Sequence, residues 1–82
     1  MKLTDRIFEL TESKVRELGY ELYDVEYQKE YDNWVLTLYI DSKDGISLDD
    51  CEIVSNAVDP ILDEADPIEQ AYYLSVSSVG ID

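Results

Sequence analysis

Several residue types that usually carry chemistry are scarce in this 82-residue chain. The chain has no histidine, which removes the commonest general base and zinc ligand. Its single cysteine, Cys51, cannot form a disulfide within the chain, and the acids Asp50 and Glu52 beside it disfavour a thiolate. No apolar run approaches the roughly 20 residues of a membrane span, and residues 1–12 lack the apolar core of a signal peptide. These absences favour a cytoplasmic protein with no catalytic site, cofactor, metal or membrane association.

Positive charge is also missing from half of the chain. All six basic residues lie at or before Lys43, so residues 44–82 carry ten carboxylates and no cation, and the whole chain has a net charge of −14. Such a field repels phosphate backbones and attracts segments rich in lysine and arginine. The charge therefore predicts a basic protein partner and argues against direct RNA contact by this domain.

What remains is sufficient for one folded domain. A chain of this length holds a single core, and 45% hydrophobic residues, with seven tyrosines among them, supply the material for it. We therefore expect residues 1–82 to form one domain.

Apolar residues in the first segment recur at helical spacing. Ile7, Leu10 and Val15 fall on one face, which predicts an amphipathic helix over residues 4–18. Gly19 follows at the position of a C-terminal cap.

The next two segments alternate as strands do. In the first, Tyr23, Val25 and Tyr27 are predicted to share one face. In the second, alternate residues over 34–40 are apolar, and a turn at 31–33 separates the two runs. This pattern predicts an antiparallel hairpin.

A second helix is predicted to begin at Ser47, which forms a capping-box pattern with Asp50. Pro60 predicts either a kink or a break, with Asp59 capping a short final turn. Asp66 and Pro67 are expected to close this helix.

Residues 72–77 alternate as a third strand, so the predicted order is α-β-β-α-β. Three strands cannot bury both faces alone, and we expect an α/β (α+β) fold in which two helices pack on one face of a three-stranded sheet. Tyr20, Tyr23 and Tyr27 are expected to pack against the helices or lie half exposed, with a partner-binding patch as the alternative.

Five segments arrive in an order that resembles the amino-terminal domain of the bacterial ribosome maturation factor RimP family. They are LGYELYDVEY (18–27), NWVLTLYID (33–41), GISLDDCEIVS (45–55), LDEADPI (62–68) and YYLSVSSVGID (72–82). The resemblance implies an α/β domain of a non-enzymatic factor that assists maturation of the small ribosomal subunit. It also implies that the carboxy-terminal barrel domain of the family is absent from this chain.

Three residues depart from the pattern of that family. Val79 stands where proline is usual, Ser75 where glutamate is frequent, and Thr37 where arginine is common. The loss of proline frees the hinge that follows the domain, and the loss of arginine deepens its acidic bias.

Charge and resemblance together predict the partner and its contact residues. We expect the domain to bind basic ribosomal protein segments in a small-subunit precursor through Asp49, Glu52, Asp63, Glu64 and Asp66. The alternative is an acidic nucleic-acid mimic or regulatory module that occupies the basic cleft of another protein. No catalytic, cofactor-binding or metal-ligating residues are predicted.

Overall fold

The computed structural model describes residues 2–65, 68 and 71–79. Its helices and strands follow the predicted order: α1 (Leu3–Glu17), β1 (Glu21–Glu30), β2 (Asn33–Asp41), α2 (Leu48–Ala65) and β3 (Tyr72–Ser78). The expected α-β-β-α-β arrangement is therefore confirmed.

The end of α1 is set by Gly19. This residue has a φ of 95°, a left-handed conformation that glycine adopts without a steric penalty. The amide of Gly19 donates to the carbonyl of Arg16 and the amide of Tyr20 donates to that of Val15, both at 3.0 Å. These two bonds form a Schellman motif, which turns the chain from α1 into β1.

The strands β1 and β2 form the predicted antiparallel hairpin, closed by a two-residue turn at Tyr31 and Asp32 between the paired Glu30 and Asn33. Its register shifts between Leu22 and Asp24, where one extra residue forms a bulge.

The third strand completes a mixed sheet of order β1-β2-β3. β3 pairs with β2 in parallel, with Leu36 opposite Leu74 and Thr37 opposite Ser75. Parallel neighbours require a long crossover connection, and α2 provides it.

The core lies between the helices and one face of this sheet. Three side chains of the central strand, Leu36, Leu38 and Ile40, are completely buried. The helical residues packed in the same cluster are Ile7 and Val15 of α1 and Val54, Val58 and Leu62 of α2. Because strand residues alternate, Val35, Thr37 and Tyr39 point to the opposite side, which is here called the open face of the sheet.

Of the two alternatives expected at Pro60, a kink or a break, the break is wrong, because α2 is one helix from Leu48 to Ala65 with Pro60 inside it. Proline cannot donate to the carbonyl of Asn56, which loses its helical partner. Both residues are exposed, so water can satisfy that carbonyl and the proline ring meets no core side chain. Asp59 consequently lies within the helix and does not cap a new turn.

Candidate partner-binding surfaces

The rotation of α2 about its axis is fixed by its core residues and by its first turn. Val54, Val58 and Leu62 are buried against the sheet, which turns the opposite side of the helix to solvent. At the N-terminus Ser47 and Asp50 form the predicted capping box. The Ser47 amide donates to Asp50 Oδ2 at 2.8 Å, and the Asp50 amide donates to Ser47 Oγ at 3.3 Å.

A third residue connects this cap to the start of β1, which lies beside the end of β2. The hydroxyl of Tyr20 donates to Asp50 Oδ1 at 2.5 Å. The bond from Tyr20, followed by those from Ser47, holds the pKa of the Asp50 carboxyl below its ordinary value. Tyr20 thereby anchors α2 at the junction of α1 and β1. The sequence predicted for it packing against the helices or half exposure, with a partner-binding patch as the alternative, but not this bond.

The acids predicted to bind a partner lie on the solvent side of α2. Asp49, Glu52, Asp63 and Glu64 are all exposed. At about 100° of rotation per residue, the first three fall within a sector of roughly 60°, whereas Glu64 is turned away from Asp63 by one step. Asp66, the fifth predicted residue, lies outside the described part of the chain.

One acid at the edge of this sector, which it widens to roughly 80°, was missed by sequence reasoning. Asp59 is exposed, and at helical spacing it falls in line with Glu52 seven residues before it and Asp63 four residues after it. The spacing of seven residues from Glu52 and four from Asp63 could have indicated this position. It places the three acids on one side of the helix only if the helix continues unbroken through Pro60. We call Asp49, Glu52, Asp59 and Asp63 together the α2 ridge.

The α2 ridge has no compensating positive charge on its own helix. Within the described residues the last turn of α2 contains no basic residue, and the one ion pair found joins Lys14 to Glu17 on α1 at 3.5 Å. The C-terminal end of a helix carries partial negative charge, so Asp63, in the last turn, opposes the helix dipole. Asp59 and Asp63, four residues apart, also repel each other. A cation bound along the ridge relieves both effects.

The tyrosines of β1 do not share a face as the sequence predicted. The bulge places Tyr23 out of the alternation, because Leu22 and Val25, three residues apart, both enter the core. Tyr23 is 66% exposed as a result. Tyr27 keeps its predicted place facing the helices and stacks on Trp34, with ring centroids 4.7 Å apart.

The open face combines exposed aromatic rings with acids. Tyr23, Asp24, Glu26, Tyr39 and Val79 line a concavity at one end of it. The hydroxyl of Tyr39 donates to Glu26 Oε2 at 2.9 Å. This bond, burial, and the negative charges of Glu26, Asp24 and Glu30 raise the pKa of Tyr39, which places the ring in a negative field.

Two of the departures noted in the sequence are neighbours in the sheet. Thr37 of β2 lies directly opposite Ser75 of β3, and on its other side Thr37 pairs with Glu26 of β1. The row therefore consists of one carboxylate and two short hydroxyl side chains, and no cation of the chain occupies it.

Other candidate chemistry is limited in the described residues. Cys51 is half buried, and burial together with the charge of Asp50 raises the pKa of its thiol, which makes it a weak nucleophile. No group of three potential ligands able to hold a metal ion is found between residues 2 and 79 where the chain is described. In the same part of the chain, neither helix has the length and apolar character needed to cross a membrane.

The sequence of this α-β-β-α-β domain matches a known family. The family model of the RimP N-terminal domain matches residues 10–82, which covers all three strands, α2 and most of α1. A match over so much of the chain shows that it belongs to the RimP family of ribosome maturation factors.

Proposed function

We propose that this domain assists maturation of the small ribosomal subunit, without catalysing a reaction, by binding a basic segment of a ribosomal protein through the α2 ridge. The observation that carries the proposal is the line of exposed carboxylates along α2, which extends to the C-terminal part of the helix where acids reduce helix stability. The other two predicted contributors are Glu64, which is exposed next to Asp63, and Asp66, which follows the described part of α2 in the sequence.

The physical basis is selection by charge. A surface with a net charge of −14 accelerates encounters with cationic chains and slows those with bare phosphate. Ribosomal particles present both, so the ridge favours protein segments over the surrounding RNA. Membership in the RimP family supports a ribosomal partner over the alternative of a nucleic-acid mimic.

The test compares two variants that change net charge equally. In the ridge variant, Glu52→Gln, Asp59→Asn and Asp63→Asn remove three acids from α2. In the control variant, Asp5→Asn, Glu9→Gln and Glu12→Gln remove three acids from α1. Each chain is cosedimented with small-subunit precursor particles at several salt concentrations, after thermal unfolding has shown that both variants fold.

The ridge variant is expected to bind about tenfold or more weakly, since three exposed charge contacts contribute roughly 0.2–1 kcal/mol each. The control variant is expected to bind within about twofold of the unmodified chain. The difference in binding between the ridge variant and the unmodified chain should shrink with added salt. Equal binding by all three chains would show that the position of the acids does not matter and would remove the proposal.

A further inference from the structure

The open face of the sheet has a surface different from that of α2. Its side chains fall in rows across the three strands: Asp24, Tyr39 and Ser77 in one row, and Glu26, Thr37 and Ser75 in the next. The two serines of β3 are short, so they leave the ring of Tyr39 accessible from the side of that strand. The described helices pack on the other face of the sheet, where the core lies.

The concavity at this end of the open face has walls of two kinds. Tyr23, 66% exposed, and Tyr39 contribute aromatic surface. Asp24 and Glu26 contribute carboxylates from the same strand, and their Cα atoms lie roughly 7 Å apart because alternate strand residues are separated by two rises. The bulge at Tyr23 produces this combination, since it places Tyr23 and Asp24 in sequence outside the core.

Each carboxylate is partly held in place. Glu26 Oε2 accepts the hydroxyl of Tyr39, and Asp24 Oδ1 accepts the amide of Val25 at 2.8 Å. Among the described residues neither carboxylate pairs with a cation. The site thus has two oriented acids, a negative field and no internal counter-ion.

We propose that this concavity binds the guanidinium group of an arginine carried on an extended basic segment of a partner protein. Arginine fits better than lysine because its planar group stacks on aromatic rings while its fixed donors reach carboxylate oxygens. Charge complementarity favours this occupant over single-stranded RNA. Proteins that stack bases on aromatic rings combine those rings with a positively charged groove, whereas this concavity is acidic.

The proposal concerns a different face from the α2 ridge and does not depend on it. Its test uses the 82-residue chain and a short synthetic peptide of glycine and serine with one central arginine. A second peptide has lysine in place of arginine. Backbone amide shifts are followed by NMR during titration with each peptide.

The arginine peptide is expected to shift the amides of residues 23–26, 39 and 79 and to bind roughly fivefold more tightly than the lysine peptide. Glu26→Gln should weaken arginine binding by roughly tenfold, because a charge-assisted contact is lost. The matched variant Glu9→Gln removes the same charge from an exposed position on α1 and should leave binding unchanged.

A second variant tests the site without removing an acid. Thr37 pairs with Glu26 across the strands and on the same face. In Thr37→Arg a guanidinium of the chain itself can reach Glu26, so binding of the arginine peptide should be lost while the fold is kept. Equal binding of the two peptides, shifts confined to α2, or undiminished binding by Thr37→Arg would each overturn the proposal.

The two proposals fail separately. Loss of peptide binding on the open face leaves the cosedimentation of the α2 ridge variants unaffected. Conversely, a ridge variant that binds precursor particles normally leaves the arginine site in place.

Discussion

α1 and α2 lie on the same face of the sheet, and each buries three side chains: Ile7, Thr11 and Val15 in α1, and Val54, Val58 and Leu62 in α2. Their outer surfaces are arranged differently. In its last turn α1 has two bases, Lys14 and Arg16, against one acid, Glu17, so positive charge prevails where the helix dipole favours it. α2 has acids in its first turn and no base in its last.

The comparison separates two requirements on a helix. Burial of an apolar stripe is common to both, so folding alone accounts for their inner faces. The positive charge in the last turn of α1 is also explained by the stability of the helix itself. The charge in the last turn of α2 is not, because Asp63 and Glu64 lie where cations are favoured. A cost in stability without an internal benefit is consistent with binding.

The largest expected effect tests whether the inner faces are equivalent. Ile7→Ala in α1 and Leu62→Ala in α2 each empty a completely buried site, and each should reduce the free energy of unfolding by about 2–5 kcal/mol. Urea denaturation followed by circular dichroism measures both.

The control for this pair is Leu48→Ala. Leu48 is apolar but 86% exposed at the start of α2, so its loss should change stability by no more than about 0.5 kcal/mol. If only one of the two core variants lowered the free energy of unfolding by this amount, the two helices would not contribute equally to the core, and their inner faces would not be equivalent.

The second effect concerns the N-termini. α2 is capped by Ser47, whereas the N-cap of α1, Lys2, makes no hydrogen bond through its side chain. Ser47→Ala should cost about 1 kcal/mol, and Lys2→Ser should add up to a similar amount, because Lys2 already has the extended backbone of a cap residue. Thermal unfolding of the two variants measures these opposite shifts.

The cap of α2 also links stability to pH. Hydrogen bonds from Tyr20 and Ser47 lower the pKa of Asp50 in the folded state. The contribution of ionised Asp50 to the free energy of unfolding is therefore complete above the ordinary pKa of an aspartate. It is lost as the pH falls through the lower pKa of the folded state. Asp50→Asn should be less stable at neutral pH and lose less on acidification. Parallel acid-denaturation curves for the two chains would contradict this assignment.

Most of the fold could be predicted from sequence because its signals are local. The glycine cap after α1, the capping box of α2 and the alternation in β2 each depend on residues a few positions apart. The bulge at Tyr23 was missed, because it depends on which two residues of β1, Leu22 and Val25, the distant helices accept into the core.

The candidate site was only partly predictable for a related reason. Three of the four acids of the α2 ridge, Asp49, Glu52 and Asp63, could be named from charge alone, but their grouping required the rotation of α2 and its continuity through Pro60. Asp59 was considered only as the cap of a short final turn, in the case that the helix broke at Pro60. The concavity on the open face arises from the bulge and from the pairing of β3, so no single segment of the sequence signals it.

The smallest expected effect addresses the comparison most directly. Asp63→Lys places a cation in the last turns of α2 and replaces the repulsion with Asp59 by attraction, which should raise the free energy of unfolding by about 0.5–1 kcal/mol. Arg16→Glu makes the reverse change on α1 and should lower it by a similar amount. Chemical denaturation at low and high salt measures both, and salt should reduce both.

On α2, a substitution that raises stability should therefore weaken partner binding, whereas on α1 a change in stability should leave partner binding unaffected. If the α2 ridge holds a basic partner, Asp63→Lys stabilises the isolated domain while weakening its association with small-subunit precursors, because a cation then faces the cationic segment. Arg16→Glu destabilises the domain and leaves association nearly unchanged. If Asp63→Lys stabilised the domain and left association undiminished, the acids of α2 would lower the stability of the helix without contributing to partner binding. The difference in charge between the two helices would then have no functional cause.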